Sequence, residues 1–426
     1  MSPTFRSLAV RNYRLFAAGQ AVSLTGTWMQ RIAQDWLVLR LTHDSGTALG
    51  ITTGLQFAPI LLLSMYGGVL ADRYSKRRIL VLTQGGMALV ALTLGLLDVT
   101  GLVQVWQVYL LAFLHGIGNA LDNPVRQSFV HEMVGKDDLP NAVSLNSATF
   151  NLARITGPAV AGLVIAAFGT GVVFLGNAVS FAAVICGLLA MRVSELHVSD
   201  RVSRGRGQLR EGLRYVRRRP DLMLVLTTVL FVATFGLNFQ MTMALMAKAE
   251  FDRGAASFGL LSTAVATGSL VGALLAARRG RPRHRLLVGA AITFSLLEMA
   301  TGLMPSYLTF MAMLVPTGVA ILTFTTSANA TIQLGSSSAM RGRVMGLYLL
   351  AFLGTAPVGA PLIGWFAEIM GPRASIVGGG ALSLAGTLLA VALFARRQGV
   401  VFRARLRPRP QLIVLDQQMV QDVKAS

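Results

Sequence analysis

Asp35 with Arg31, Arg154, Glu298 and Asp122 are the ionisable side chains that interrupt or border long apolar runs of this 426-residue chain. An ionised group at a bilayer centre costs on the order of 3 kcal/mol or more unless it is paired or hydrated, so such residues mark proton relays, solute contacts or internal ion pairs. Arg31 and Asp35 are four residues apart on one helical face, which suits a structural pair as well as a coupling or solute-contact role. Gln30 and Gln34 share that neighbourhood. Glu298 suits a protonation site or a packed, uncharged acid. Arg154 lines a polar stripe with Asn146 and Asn151, where it would attract an anionic solute or neutralise Asp35. Asn238, Gln240 and Asn329 offer hydrogen bonds to a bound solute, and Trp28, Trp36, Phe235 and Phe239 offer apolar walls or interfacial anchors. Enzyme chemistry lacks its parts. His43, His115, His131, His197 and His284 have no metal-ligand spacing, Cys186 stands alone in an apolar run, and no Gly-rich phosphate loop precedes a helix. No catalytic residue, metal or cofactor is expected.

The elements that must position these groups follow from composition. Hydrophobic residues make up 54% of the chain and charged residues 13%, about half the share of a soluble domain. Stretches such as 45–71, 79–97, 99–121, 155–191, 299–340 and 374–395 contain no charge. A helix of about 20 apolar residues spans the hydrocarbon core, and unbroken runs rather than alternating segments argue for helices over a barrel. Dividing the longer runs at small-residue turns predicts twelve spans: 14–40, 46–71, 78–98, 104–123, 141–166, 171–191, 222–247, 255–277, 286–304, 307–328, 344–367 and 374–395. Residues 1–16 lack the apolar stretch and cleavage site of a signal peptide and are read as mature chain.

The net charge of +20 suggests nucleic acid until the charges are sorted by loop. With both termini inside, 32 of the 38 Lys and Arg residues fall in cytoplasmic segments and four in outer ones. This is the positive-inside pattern, and it removes the need for a nucleic-acid partner. The polar stretch 192–221 divides the spans six and six, and Leu209, Leu213 and Val216 recur within it at helical spacing, as in an amphipathic helix on the inner leaflet. The expected organisation is therefore an N-terminal half over 1–191, a cytoplasmic linker over 192–221, a C-terminal half over 222–396 and a tail over 397–426. The halves echo each other. Gly68-Val-Leu-Ala-Asp-Arg recurs as Gly272-Ala-Leu-Leu-Ala-Ala 204 residues on, and Gly157-Pro158 aligns with Ala360-Pro361 at an offset of 203. Duplicated halves of this kind characterise transporters whose repeats are related by an axis along the membrane normal.

Gly68-x-Leu-Ala-Asp72-Arg73-x-x-Lys76-Arg77-Arg78 resembles the signature loop of the major facilitator superfamily, and the likeness covers essentially the whole span pattern. Arg11-Asn-Tyr-Arg-Leu-Phe, Gly26-Thr-Trp-Met-Gln, Asp122-Asn-Pro-Val-Arg126-Gln and Asn151-Leu-Ala-Arg-Ile-Thr-Gly-Pro resemble its branch of secretion and drug-efflux permeases, which includes the enterobactin exporter. The resemblance implies an all-α polytopic membrane protein of the major facilitator fold, acting as a monomer in the cell membrane. It implies export of a small amphipathic cargo, drug or siderophore-like, by antiport against protons; an importer or a non-transporting receptor of the same fold is the alternative. On this reading Arg154 would meet an anion such as a catecholate siderophore. Asp72 would meet the N-terminus of span eleven near Arg341 to Gly346, with Arg126 completing the gate, and Asp72→Asn would lower transport while leaving folding intact. Ala276 stands at the corresponding place of the second half. Gly157, Pro158 and Gly162 resemble a shortened form of a motif of export-type members, with helix packing as the complete alternative; Ser144 and Ala153 stand where the fuller pattern has glycines.

Overall fold

Backbone groups in lipid must bond within their own segment, so charge-free runs become long helices. The computed structural model describes residues 3–197, 208–277, 284–337, 340–398, 401–405 and 411–415. The side chains of 3–4, 64–73, 136, 208–210, 277, 401–405 and 411–415 lie outside the described set. The helices are α1 (Arg11–Leu41), α2 (Gly46–Arg73), α3 (Lys76–Val99), α4 (Val105–Phe168), α5 (Thr170–Leu189), α6 (Gln208–Arg217), α7 (Pro220–Phe231), α8 (Phe239–Leu245), α9 (Ala255–Ala277), α10 (His284–Gly302), α11 (Tyr307–Gly335), α12 (Arg341–Leu353), α13 (Ala356–Met370) and α14 (Pro372–Gln398). Two short strands, Val401–Arg405 and Gln411–Leu415, pair antiparallel after α14.

Ten segments among the described residues are long and apolar enough to cross a membrane. α1 and the first limb of α4 fall outside that set. Arg31 and Asp35 interrupt the former, and Gln107, His115, Asn119 and Asp122 dilute the latter. The helices overrun their apolar stretches. α4 continues through the expected loop at 124–140 and changes direction at Gly135, whose φ of 70° suits glycine. Hydropathy marks only the lipid-embedded part of a helix, which is why the overrun was invisible to it. Gly169 and Gly371, with φ of 83° and 89°, turn the chain into α5 and α14. The expected single span at 222–247 is one rod over Pro220–Glu250 interrupted by two π segments, Val232–Gly236 and Met246–Glu250.

The helices before α6 and those after it meet along two lines, α2 against α13 and α4 against α9. Glycines make the approach possible. A Cβ added at Gly46, Gly50 or Gly54 would come within 2.5, 2.4 or 3.2 Å of the carbonyl oxygens of Gly364, Ala360 and Pro357. On the other line, a Cβ at Gly259 would lie 2.4 Å from the Pro158 oxygen, one at Gly162 would lie 2.9 Å from that of Ala255, and the Thr263 hydroxyl donates to Ile155 O at 3.2 Å. In lipid, such close backbone contact supplies the packing energy that the hydrophobic effect does not. Polar ties reinforce one end. Lys248 pairs with Asp44 at 2.6 Å, and the Ser45 hydroxyl and Thr47 N–H donate to Glu368 Oε2 at 2.8 and 2.9 Å. Trp36 stacks on Phe258 with centroids 6.3 Å apart. All of these ties lie toward the face opposite the one that carries α6.

At the α6 face no hydrogen bond or ion pair between described residues joins the two sets. α6 sits instead on the C-terminal set. Glu211 pairs with Arg343 at 2.8 Å, Val216 is buried, and Arg219 donates to Asp221 and to Gly335 O. The bundle is thus shut at one end along both lines.

Candidate functional site

Helix α1 carries the densest group of polar residues in the middle of the bundle, and its neighbours decide what each can do. Arg31 lies 4.8 Å from the Trp28 ring centroid and 5.9 Å from that of Phe57, and Arg154 lies 6.0 Å from Trp28 on another side. Phe150 packs edge-on against Trp28 with centroids 5.8 Å apart. Two guanidiniums from α1 and α4 therefore share one indole. Neither has a hydrogen bond or an ion pair among the described residues.

Asp35 is buried one turn further along α1, and its neighbour across the bundle is Gln240 of α8. No ion pair joins Asp35 to Arg31 or to Arg154, because the guanidiniums turn toward Trp28. Gln30 accepts from Asn177 at 2.5 Å, which ties α1 to α5. Gly157 abuts α1, where an added Cβ would lie 2.6 Å from that of Trp28, so the small residue sets how closely Trp28 and Arg154 approach.

Glu298 is buried elsewhere, between α7, α10 and α14. A Cβ added at Gly236 would lie 2.9 Å from its Oε2 and one at Gly379 would lie 3.4 Å from its Oε1, and Oε2 has no hydrogen-bond partner. The structure does not bring it together with Asp35 or the two arginines. Asn238 lies just after the first π segment, its amide donating to Thr234 O at 2.9 Å.

The expected gate separates into two parts. Gly68, Asp72 and Arg73 have side chains outside the described residues. Arg126 donates from Nε to Asp122 at 2.7 Å, and its expected meeting with Asp72 lies outside the described residues. The Asp122–Arg126 pair is four apart on one helix, so it needs no second helix to hold it. Thr83 and Gln84 of α3 donate to the same carboxylate at 2.9 and 2.8 Å. Arg77 donates to Leu188 O and Leu189 O at 2.6 and 2.8 Å, Lys76 pairs with Glu132, and Arg78 is exposed. Asp122 is thus the fixed point of the N-terminal helices. Asp122→Ala is expected to strand Arg126 and to destabilise the protein by about 3 kcal/mol, the scale of breaking a buried pair. Denaturant unfolding of the purified protein in detergent measures it.

Sequence reading missed Thr83, Gln84, Phe57 and Phe150 as neighbours of charged groups, and it missed Glu368 with Ser45, Thr47 and the Lys248–Asp44 pair. The signal for the last set was present, since each charged member sits within a few residues of a span end on the same side.

The family model for transmembrane secretion effectors matches residues 2–412. The chain is 29% identical over 406 residues to the multidrug efflux pump Tap of Mycolicibacterium fortuitum, covering 92% of this chain and 95% of Tap. It is 25% identical over 412 residues to the enterobactin exporter EntS of Shigella flexneri, covering 93% of each. It is 26% identical over 263 residues to the staphyloferrin A transporter of Staphylococcus aureus; that match covers 62% of this chain and 66% of the relative, just under two thirds of its length. Among solved structures, a bacterial homologue of the human lysosomal transporter Spinster, inward-facing and unoccupied, superposes with a TM-score of 0.69 at 16% identity, covering 93% of this chain and 98% of that one, a likeness of fold alone. The chain therefore belongs to the transmembrane secretion effector family of the major facilitator superfamily.

Proposed function

We propose that the chain is a secondary active exporter of small amphipathic molecules, driven by inward proton flow across the cell membrane. It has twelve spans in two six-helix halves, works as a monomer and keeps both termini in the cytoplasm. One observation carries the reading: the ties between the two helix sets gather at one end of the bundle, and the charged residues of α1 lie next to where they stop. If the positive loops are cytoplasmic, the closed end faces outward and the site faces the cytoplasm, ready to load cargo. The π segments beside Gly236 and Asn238 supply a local irregularity of a kind often found at functional sites. The names of the relatives, a multidrug efflux pump and a siderophore exporter, favour export.

Coupling is assigned to Asp35 rather than Glu298. Asp35 lies where α1 faces α8 of the other set, so rocking the sets changes its access to water, whereas Glu298 is enclosed within one set. The test is uptake of a panel of amphipathic dyes and iron chelators into everted membrane vesicles. Imposing an acid interior should raise accumulation of at least one compound over the level without a gradient, and collapse of the gradient should reverse it. Equal accumulation of every compound with and without the gradient, in vesicles shown to contain the protein, would remove the proton-driven export reading.

A further inference from the structure

Among the described residues, the acids enclosed by the N-terminal helices away from Trp28 have their partners, whereas Arg31 and Arg154, both half-buried beside that indole, do not. Asp122 is met by Thr83, Gln84 and Arg126. Asp98 is met by Arg40 and Thr170. Arg31 and Arg154 have only the faces of aromatic rings. A guanidinium brings about five N–H donors in a plane, and a cation over an indole leaves those edge donors free to point away from the ring. Two such groups on one indole repel each other, and Asp35 forms no ion pair with either among the described residues.

On the same helix as Arg154, His115 is 2% exposed, its Nδ1 has no hydrogen-bond partner, and its ring lies 6.4 Å from that of Phe181. The walls are apolar and flat: Trp28, Phe57 and Phe150. The group therefore presents surplus positive charge, planar donors and aromatic surface together.

We propose that Arg31, Arg154 and Trp28 form a binding site for a planar organic anion, a molecule with a carboxylate or similar delocalised oxyanion on an aromatic or apolar body. The oxyanion bridges the two guanidiniums and relieves their repulsion, because parallel N–H donors match its oxygens. The ring of the ligand lies against Phe57 or Phe150. The inference rests on the transport reading only in calling this molecule cargo; the site itself is defined without it.

The test uses salicylate and its neutral amide, salicylamide, which share a shape and differ in charge. Binding to the purified full-length protein in a zwitterionic detergent is measured by calorimetry, with no membrane and no gradient. Wild type should bind salicylate at least tenfold more tightly than salicylamide. Arg31→Gln and Arg154→Gln should each weaken salicylate by about tenfold, while Arg31→Lys and Arg154→Lys, which keep the charge, should recover part of the loss. Monodisperse elution and helical circular dichroism check that each variant is folded, and the Lys variants serve where a Gln variant is not. Equal binding of acid and amide, absence of salicylate binding to wild type, or full binding by folded Gln variants would each overturn the site. Displacement of salicylate by phosphatidylglycerol at equimolar concentration would overturn a soluble ligand in favour of a lipid headgroup. Binding that survives while vesicle uptake fails would count against the transport reading and leave this site standing.

Discussion

Gly50→Leu is expected to reduce transport by more than an order of magnitude while leaving the protein folded. Position 50 has no room for a side chain when the sets are closed, since even a Cβ would sit 2.4 Å from Ala360 O and 2.9 Å from Pro361 Cα. Both atoms are backbone, so no rotamer change relieves the clash. A shift of α13 would carry Gly364 and Pro357 out of register with Gly46 and Gly54 and open the whole line. The helices within each set are untouched, and this is why folding survives. Gly85→Leu is the matched control, because nothing lies within 4 Å of a Cβ there and the same added bulk meets open space. Vesicle uptake normalised to protein amount should separate the two. Near-wild-type transport by Gly50→Leu would show that the α2–α13 line does not have to close during the cycle.

The second large effect is on drive rather than on motion. Asp35→Asn keeps the size and hydrogen-bonding reach of the side chain and removes its ability to carry a proton. Each pH unit of gradient is worth about 1.4 kcal/mol per proton, or tenfold in accumulation. With Asp35 as the coupling group, the variant should lose this stimulation and retain downhill equilibration of the cargo. Glu298→Gln should keep the stimulation, because Glu298 is sealed between α7, α10 and α14 and does not face the other set. Measuring accumulation against the imposed pH difference gives a slope for each protein. A wild-type slope for Asp35→Asn with a flat one for Glu298→Gln would transfer the coupling role to the second carboxylate.

Much of the architecture was legible because lipid leaves the backbone few choices. Charge-free runs located the helices, and Gly169, which lies where the run 155–191 divides into two spans, adopts a positive φ. The echo of Gly157-Pro158 in Ala360-Pro361, read as a trace of duplication, coincides with the two lines where the sets meet. Other features were not legible for identifiable reasons. Hydropathy carries no information on helical register, so the π segments of α7 and α8 were invisible. Asp122 holds Arg126 from four residues away on the same helix, a contact the sequence reading did not draw. Arg154 lies beside Trp28, and Gly157 abuts the same residue, a tertiary contact that spacing along the chain does not carry. The spacing of Gly46, Gly50 and Gly54 was in plain view, yet with 44 glycines in the chain it had no special weight until Ala360 and Gly364 were opposite it.

The central claim is that the two helix sets rock about the lines α2–α13 and α4–α9, closed at the end opposite α6 in this structure. Electron-electron distance measurements test it without knowledge of the cargo. Spin labels at Leu102→Cys and Leu303→Cys, both exposed at that end and one on each set, are placed in a Cys186→Ala background, which removes the native thiol. The account predicts a dominant short distance in the otherwise unchanged protein and a shift to a longer one when Gly50→Leu is added. A single distance, the same with and without Gly50→Leu in folded protein, would contradict it.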